Sequence, residues 1–128
     1  MCLANKFLTR FEELSEDVEN EIAKMVKLLS VYDKKLSDHY HKVETAKFNA
    51  AEGFYLTKEL QEITRQRRMI KQELYKLNNL KQTLKLQAIV DRTNNARKSL
   101  SKIHKHEAKS EWWSEWKDAY RVEDLPVH

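Results

Sequence analysis

Hydrophobic residues recur at helical spacing almost from the start of this 128-residue chain. Phe7, Phe11, Leu14, Val18, Ile22, Met25, Leu29, Tyr32, Leu36 and Val43 follow one another in steps of three, four and seven. The pattern predicts one long helix over about residues 5–48, with an apolar seam along one side. Two successive steps of four, across Leu14, Val18 and Ile22, are a stutter that keeps the seam apolar while shifting its heptad phase. Ser37 and Asp38 can each cap a new helix, so a break there is the alternative to an unbroken one.

The chain's single glycine lies in Asn49-Ala50-Ala51-Glu52-Gly53. Asn49 followed three residues later by Glu52 has capping-box chemistry, and Gly53 tolerates a left-handed backbone, so the first turn is expected at about 49–55. The competing reading is one helix running through Gly53. Beyond it, Leu56, Leu60, Ile63, Arg67, Ile70, Leu74, Leu77, Lys81, Leu84 and Ala88 alternate between the two core positions of a heptad, eight of the ten being apolar. This is a pairing helix. Arg67 and Lys81 fall in its seam, where they are expected to snorkel or to meet acids of the first helix. Thr93-Asn94-Asn95 interrupts the pattern and offers caps, and Ala96, Leu100 and Ile103 mark a shorter helix after it. Ser110 precedes a final amphipathic turn with acids near its start.

Composition agrees with these elements. One Gly, one Pro and about a third charged side chains leave few turn formers and many helix formers. The expected fold is all-α: an elongated antiparallel helical hairpin or coiled-coil bundle over residues 1–109, then a short aromatic C-terminal helix and tail over 110–128. Stability must then come from helix pairing within or between chains, which makes a homo-oligomer an expectation. Cys2, alone, excludes an internal disulfide, and no signal peptide or run of eighteen apolar residues is present. A cytoplasmic setting without membrane contact is expected.

Charge changes the picture more than composition does. Residues 65–109 hold thirteen bases against three acids, net +10, inside a chain of net charge +4. Such a block meets a polyanion or is partly neutralised by acidic protein surface. Arg65, Arg68 and Lys71, with Lys85, Arg92, Lys98, Lys102 and Lys105 farther on, are the candidate contacts to phosphates or to an acidic partner. Against them stand Glu12, Glu13, Glu16, Asp17, Glu19 and Glu21, which repel one another at spacings of four unless a cationic surface lies near. The second or third helix can supply that surface. Nothing resembles a helix-turn-helix or a zinc finger, so base-specific reading is not indicated.

The segment Leu60-Gln-Glu-Ile63-Thr-Arg65-Gln-Arg67-Arg68-Met69-Ile70-Lys71-Gln-Glu73-Leu74, with His41-Lys-Val-Glu44 and Gly53-Phe-Tyr-Leu56 before it, resembles small helical proteins encoded by bacteriophages of Gram-positive hosts. The resemblance covers about the middle third of the chain. It implies a phage accessory protein acting in the host cytoplasm, and it transfers no active site.

Trp112, Trp113, Trp116 and Tyr120 form the second unusual cluster, with residues 112, 116 and 120 expected on one helical face. Tryptophans gathered in a short terminal helix are anchor material for an interface, and the alternative is that they cap the chain's own core. His39-Tyr-His41 and His104-Lys-His106 place histidines at alternate positions, which do not share a helix face, so neither pair is a chelate. No metal or other cofactor is expected. No phosphate loop and no glycine-flanked nucleophile is present, so catalysis is not expected. Three functions follow, in order: a non-enzymatic phage-type accessory protein that binds and inhibits or redirects a host or phage protein of nucleic-acid or defence machinery; a DNA- or RNA-binding module using the basic 65–109 surface; and a self-assembling structural coiled coil.

Overall fold

A computed structural model describes residues 2–126. Among the described residues the fold is all-α, with helices α1 (Leu3–Thr45), α2 (Ala50–Thr83), α3 (Leu86–Ala108) and α4 (Glu111–Trp116), a single 3-10 turn at Val122–Asp124, and no strand. The chain divides into two units. One is Glu13–Leu86; the other joins the residues up to Glu12 with those from Gln87 onward.

The Glu13–Leu86 unit is an antiparallel helical hairpin. Its cross-helix ion pairs show the direction: Lys42 meets Glu59 at 3.5 Å, Asp33 meets Arg67 at 2.6 Å and Glu19 meets Lys81 at 2.7 Å. As the α1 partner steps back, the α2 partner steps forward by nearly equal amounts. The half-buried or buried positions of α2 are Gly53, Leu56, Leu60, Ile63, Arg67, Ile70, Leu74, Leu77 and Lys81, an unbroken alternation of three and four. Arg67 and Lys81 do find acids of α1, as their seam positions require. Each such half-exposed pair contributes about 0.2–1 kcal/mol, so it fixes register more than it stabilises. The core is thin: Ile63, Ile70 and Leu86 are the buried hydrophobic residues, and no described side chain is fully buried.

The long first helix runs unbroken through Ser37 and Asp38, as its periodicity predicts, and the alternative break there is absent. Other sequence expectations are corrected. The first turn is residues 46–49, ahead of the 49–55 expected. Asn49 caps α2 at once, its Oδ1 accepting from the Glu52 backbone N–H at 2.9 Å, which places Gly53 inside the first helical turn without a positive φ. A Cβ on Gly53 would come within 3.3 Å of the Phe48 ring, so the residue's role is close approach and not reversal. The second break falls at Leu84-Lys85, where Lys85 takes φ 51°, and α3 passes straight through Thr93-Asn94-Asn95. Thr93 is buried and its hydroxyl donates to the Ile89 carbonyl one turn back, so it continues a helix where the sequence suggested a cap. The heptad frame accordingly ends at Lys81, since Leu84 is half exposed while Leu86 is buried.

In the other unit the first turns of α1 accompany α3. Arg97 bonds Glu12 at 2.8 Å and Asn5 at 3.5 Å. The inward positions of α1 here are Leu8 and Glu12, and the expected seam residues Phe7 and Phe11 are displaced to the outside, 55% and 54% exposed. The Arg97–Glu12 pair claims the face that apolarity alone assigned to the phenylalanines.

Candidate protein-interaction site

Ser110 ends the run of α3 and opens the aromatic segment. Its backbone is extended as an N-cap requires, but its hydroxyl donates to the His106 carbonyl at 3.0 Å and makes no cap bond to α4. α4 ends at Trp116 after 6 residues. Two of the four expected anchors share a helical row. Trp112 and Trp116, one turn apart, have ring centroids 6.4 Å from each other, and Trp113 stands edge-on to Trp112 at 5.8 Å.

The three indoles divide by exposure. Trp112 is 52% and Trp116 54% exposed, whereas Trp113 is half-buried and lines a cleft of about 910 Å³ together with Leu3, His104 and Glu107. Tyr120 also borders that cleft but lies past the end of α4, so it does not extend the Trp112–Trp116 row as its spacing suggested. Trp113 is thus half-buried within its own unit, and Trp112 with Trp116 presents an aromatic surface to solvent. Glu111 and Glu115 immediately precede these two residues and give the surface an acidic edge.

The candidate bases are all exposed. Arg65, Arg68, Lys71 and Lys85 lie on the hairpin unit, and Arg92, Lys98, Lys102 and Lys105 on α3 of the other. None of the eight has an ion-pair partner among the described residues. Of the six clustered acids of α1 two are paired, Glu12 with Arg97 and Glu19 with Lys81, and the other four have no ion-pair partner among the described residues.

His39 went unnoticed as a seam residue. It is 3% exposed on α1, in a polar cleft of about 400 Å³ lined also by Lys35, Asp38, Lys42, Glu59 and Glu62. Its Nδ1 lies 3.5 Å from the Glu59 carboxylate, yet neither ring nitrogen makes a hydrogen bond to another described residue. Spacing was the available signal, because His39 stands three after Leu36 and four before Val43. A buried ring without hydrogen bonds carries a desolvation cost that an apolar side chain avoids, so His39→Leu is expected to stabilise the hairpin by about 1–3 kcal/mol. Urea denaturation checks this, and a loss of stability would show that the imidazole is well satisfied.

Among the described residues no group of three or more His, Cys, Asp or Glu side chains is placed to hold a metal ion, and no helix is long and apolar enough to cross a membrane. Comparison of the chain with protein families, curated proteins and solved structures finds no match.

Proposed function

We propose that this chain is a non-enzymatic accessory protein of the bacteriophage type, which binds a host or phage protein of nucleic-acid or defence machinery and inhibits or redirects it. The observation that supports this reading best is the side-by-side, half-exposed pair Trp112 and Trp116. Large rigid aromatic side chains lose little entropy on binding and bury much area, which is why they dominate the energetics of protein interfaces. The thin core argues in the same direction. Val26, Val31, Met69 and Tyr75 all leave much of their apolar surface in water, and such surface favours association. The phage class itself comes from the resemblance of residues 60–74, with the host cytoplasm as the corresponding setting. Affinity capture from a Gram-positive host lysate, with and without nuclease, is the test. A stoichiometric protein partner that survives nuclease supports the reading, and loss of all captured material on nuclease treatment overturns it.

A second reading, nucleic-acid binding, is favoured by the eight exposed bases without ion-pair partners. Under it, Arg65→Gln, Arg68→Gln and Lys71→Gln together weaken binding about equally across sequences and flatten its salt dependence by about 0.9 per lost phosphate contact. A titration series in salt checks this. If the triple variant instead melts earlier with polyanion affinity unchanged, these bases serve the protein's own stability.

A further inference from the structure

We propose that the Trp112–Trp116 surface of one copy docks into an apolar groove on a second copy, so that this chain associates with itself through its aromatic tail. Ala4, Phe7 and Phe11 of α1 and Ala96, Leu100 and Ile103 of α3 line a groove of about 340 Å³ within one unit. Its walls are open to solvent: Phe7, Phe11 and Ile103 are each more than half exposed. No residue of the tail lines it, and both indoles remain half exposed, so the copy's own tail does not fill it.

Charge identifies the occupant. On α1, Arg10 stands three residues after Phe7, with its guanidinium 5.7 Å from the Phe7 ring centroid. On α3, Arg92 stands four before Ala96 and Lys102 three after the lining residue Ser99, spacings that set each of them beside the groove. None of these three bases has an ion-pair partner among the described residues. By the same spacing Glu12, four after Leu8, and Glu107, four after Ile103, also stand beside the groove, but Glu12 is paired with Arg97. The groove is therefore apolar along its floor, and its rim carries three bases against one acid without ion-pair partners among the described residues. The tail is the inverse: residues 110–128 carry five acids and two bases, net −3, and Glu111 and Glu115 flank the two exposed indoles. Each copy thus bears both halves of a complementary contact, which lets two copies exchange tails reciprocally about a twofold axis. The inference rests on the reading of the tail as an exposed anchor, and it adds that a foreign partner and a second copy compete for the same two indoles.

Sedimentation velocity of the full-length chain over a range of concentrations tests it. The expected result is a monomer–dimer equilibrium. Trp112→Ala with Trp116→Ala raises the dissociation constant about tenfold or more while far-ultraviolet circular dichroism keeps its helical amplitude. Lys102→Glu and Glu115→Lys each weaken association, and both changes in one chain recover much of it, since every copy then offers the reversed rim and the reversed tail. A wild-type chain that is monomeric throughout, association untouched by loss of both indoles, or a double reversal no tighter than either single one would each overturn the inference. Partner capture reads the other claim separately. A monomeric chain with tail-dependent, nuclease-resistant capture removes only self-association and leaves the groove to a foreign acidic helix; a dimer with tail-independent capture removes only the foreign use of the tail.

Discussion

A chain carrying both Ile63→Ala and Ile70→Ala should lie at or beyond the edge of folding and lose its cooperative urea transition. The two side chains, 9% and 8% exposed, stand one heptad apart on α2 and are the hairpin's most enclosed apolar residues apart from Leu86. Truncating a buried isoleucine removes transfer free energy and leaves a cavity, at about 2–5 kcal/mol per site. Two such losses consume most of the roughly 5–15 kcal/mol by which a domain is stable. Few neighbours exist to collapse into the space, because the rest of the seam is only half-buried. Leu74→Ala or Leu77→Ala, in that half-buried remainder, should cost less than either isoleucine change. Denaturation followed by circular dichroism gives the midpoints, and a double variant within about 0.5 kcal/mol of the wild type would mean that the seam is not where the hairpin's stability resides.

That seam was the most legible part of the sequence. A strict alternation of three and four along α2 leaves one face to bury, and even the charged residues at Arg67 and Lys81 are accounted for once α1 supplies Asp33 and Glu19. Breaks were harder to read. Leu84-Lys85 contains neither glycine nor proline, and a lysine at positive φ gives no compositional warning; Thr93-Asn94-Asn95 gives a false one, because threonine also bonds back into its own helix. At the start of α1 the periodicity pointed to the face of Phe7 and Phe11, whereas Leu8 and Glu12 are the less exposed residues. The choice depended on Arg97, eighty-five residues beyond Glu12, which local spacing does not reveal. The tryptophan cluster was visible as composition, but composition does not say which indole turns inward: Trp113 is half-buried while Trp112 and Trp116 stay exposed, and Tyr120 falls beyond the end of α4.

The second large effect concerns the tail. Removing residues 110–128 should leave the melting midpoint of the Glu13–Leu86 hairpin nearly unchanged, since its buried residues Ile63 and Ile70 sit in a seam built from α1 and α2, while capture of a protein partner falls sharply. Anchor tryptophans at an interface commonly account for about 2 kcal/mol or more each, which is roughly a thirtyfold change in affinity. Half-exposed indoles have that area to bury; Trp113, already half-buried at the wall of its cleft, has less and should matter more to its own unit than to a partner.

The most direct measurement substitutes the two exposed indoles and nothing else. Wild type and the Trp112→Ala/Trp116→Ala variant are compared side by side in nuclease-treated host lysate, with circular dichroism melts confirming that both are folded. A protein partner retained by the wild type and lost from a variant of equal helicity and midpoint is the predicted result. A partner bound equally well by both would contradict the assignment of this surface.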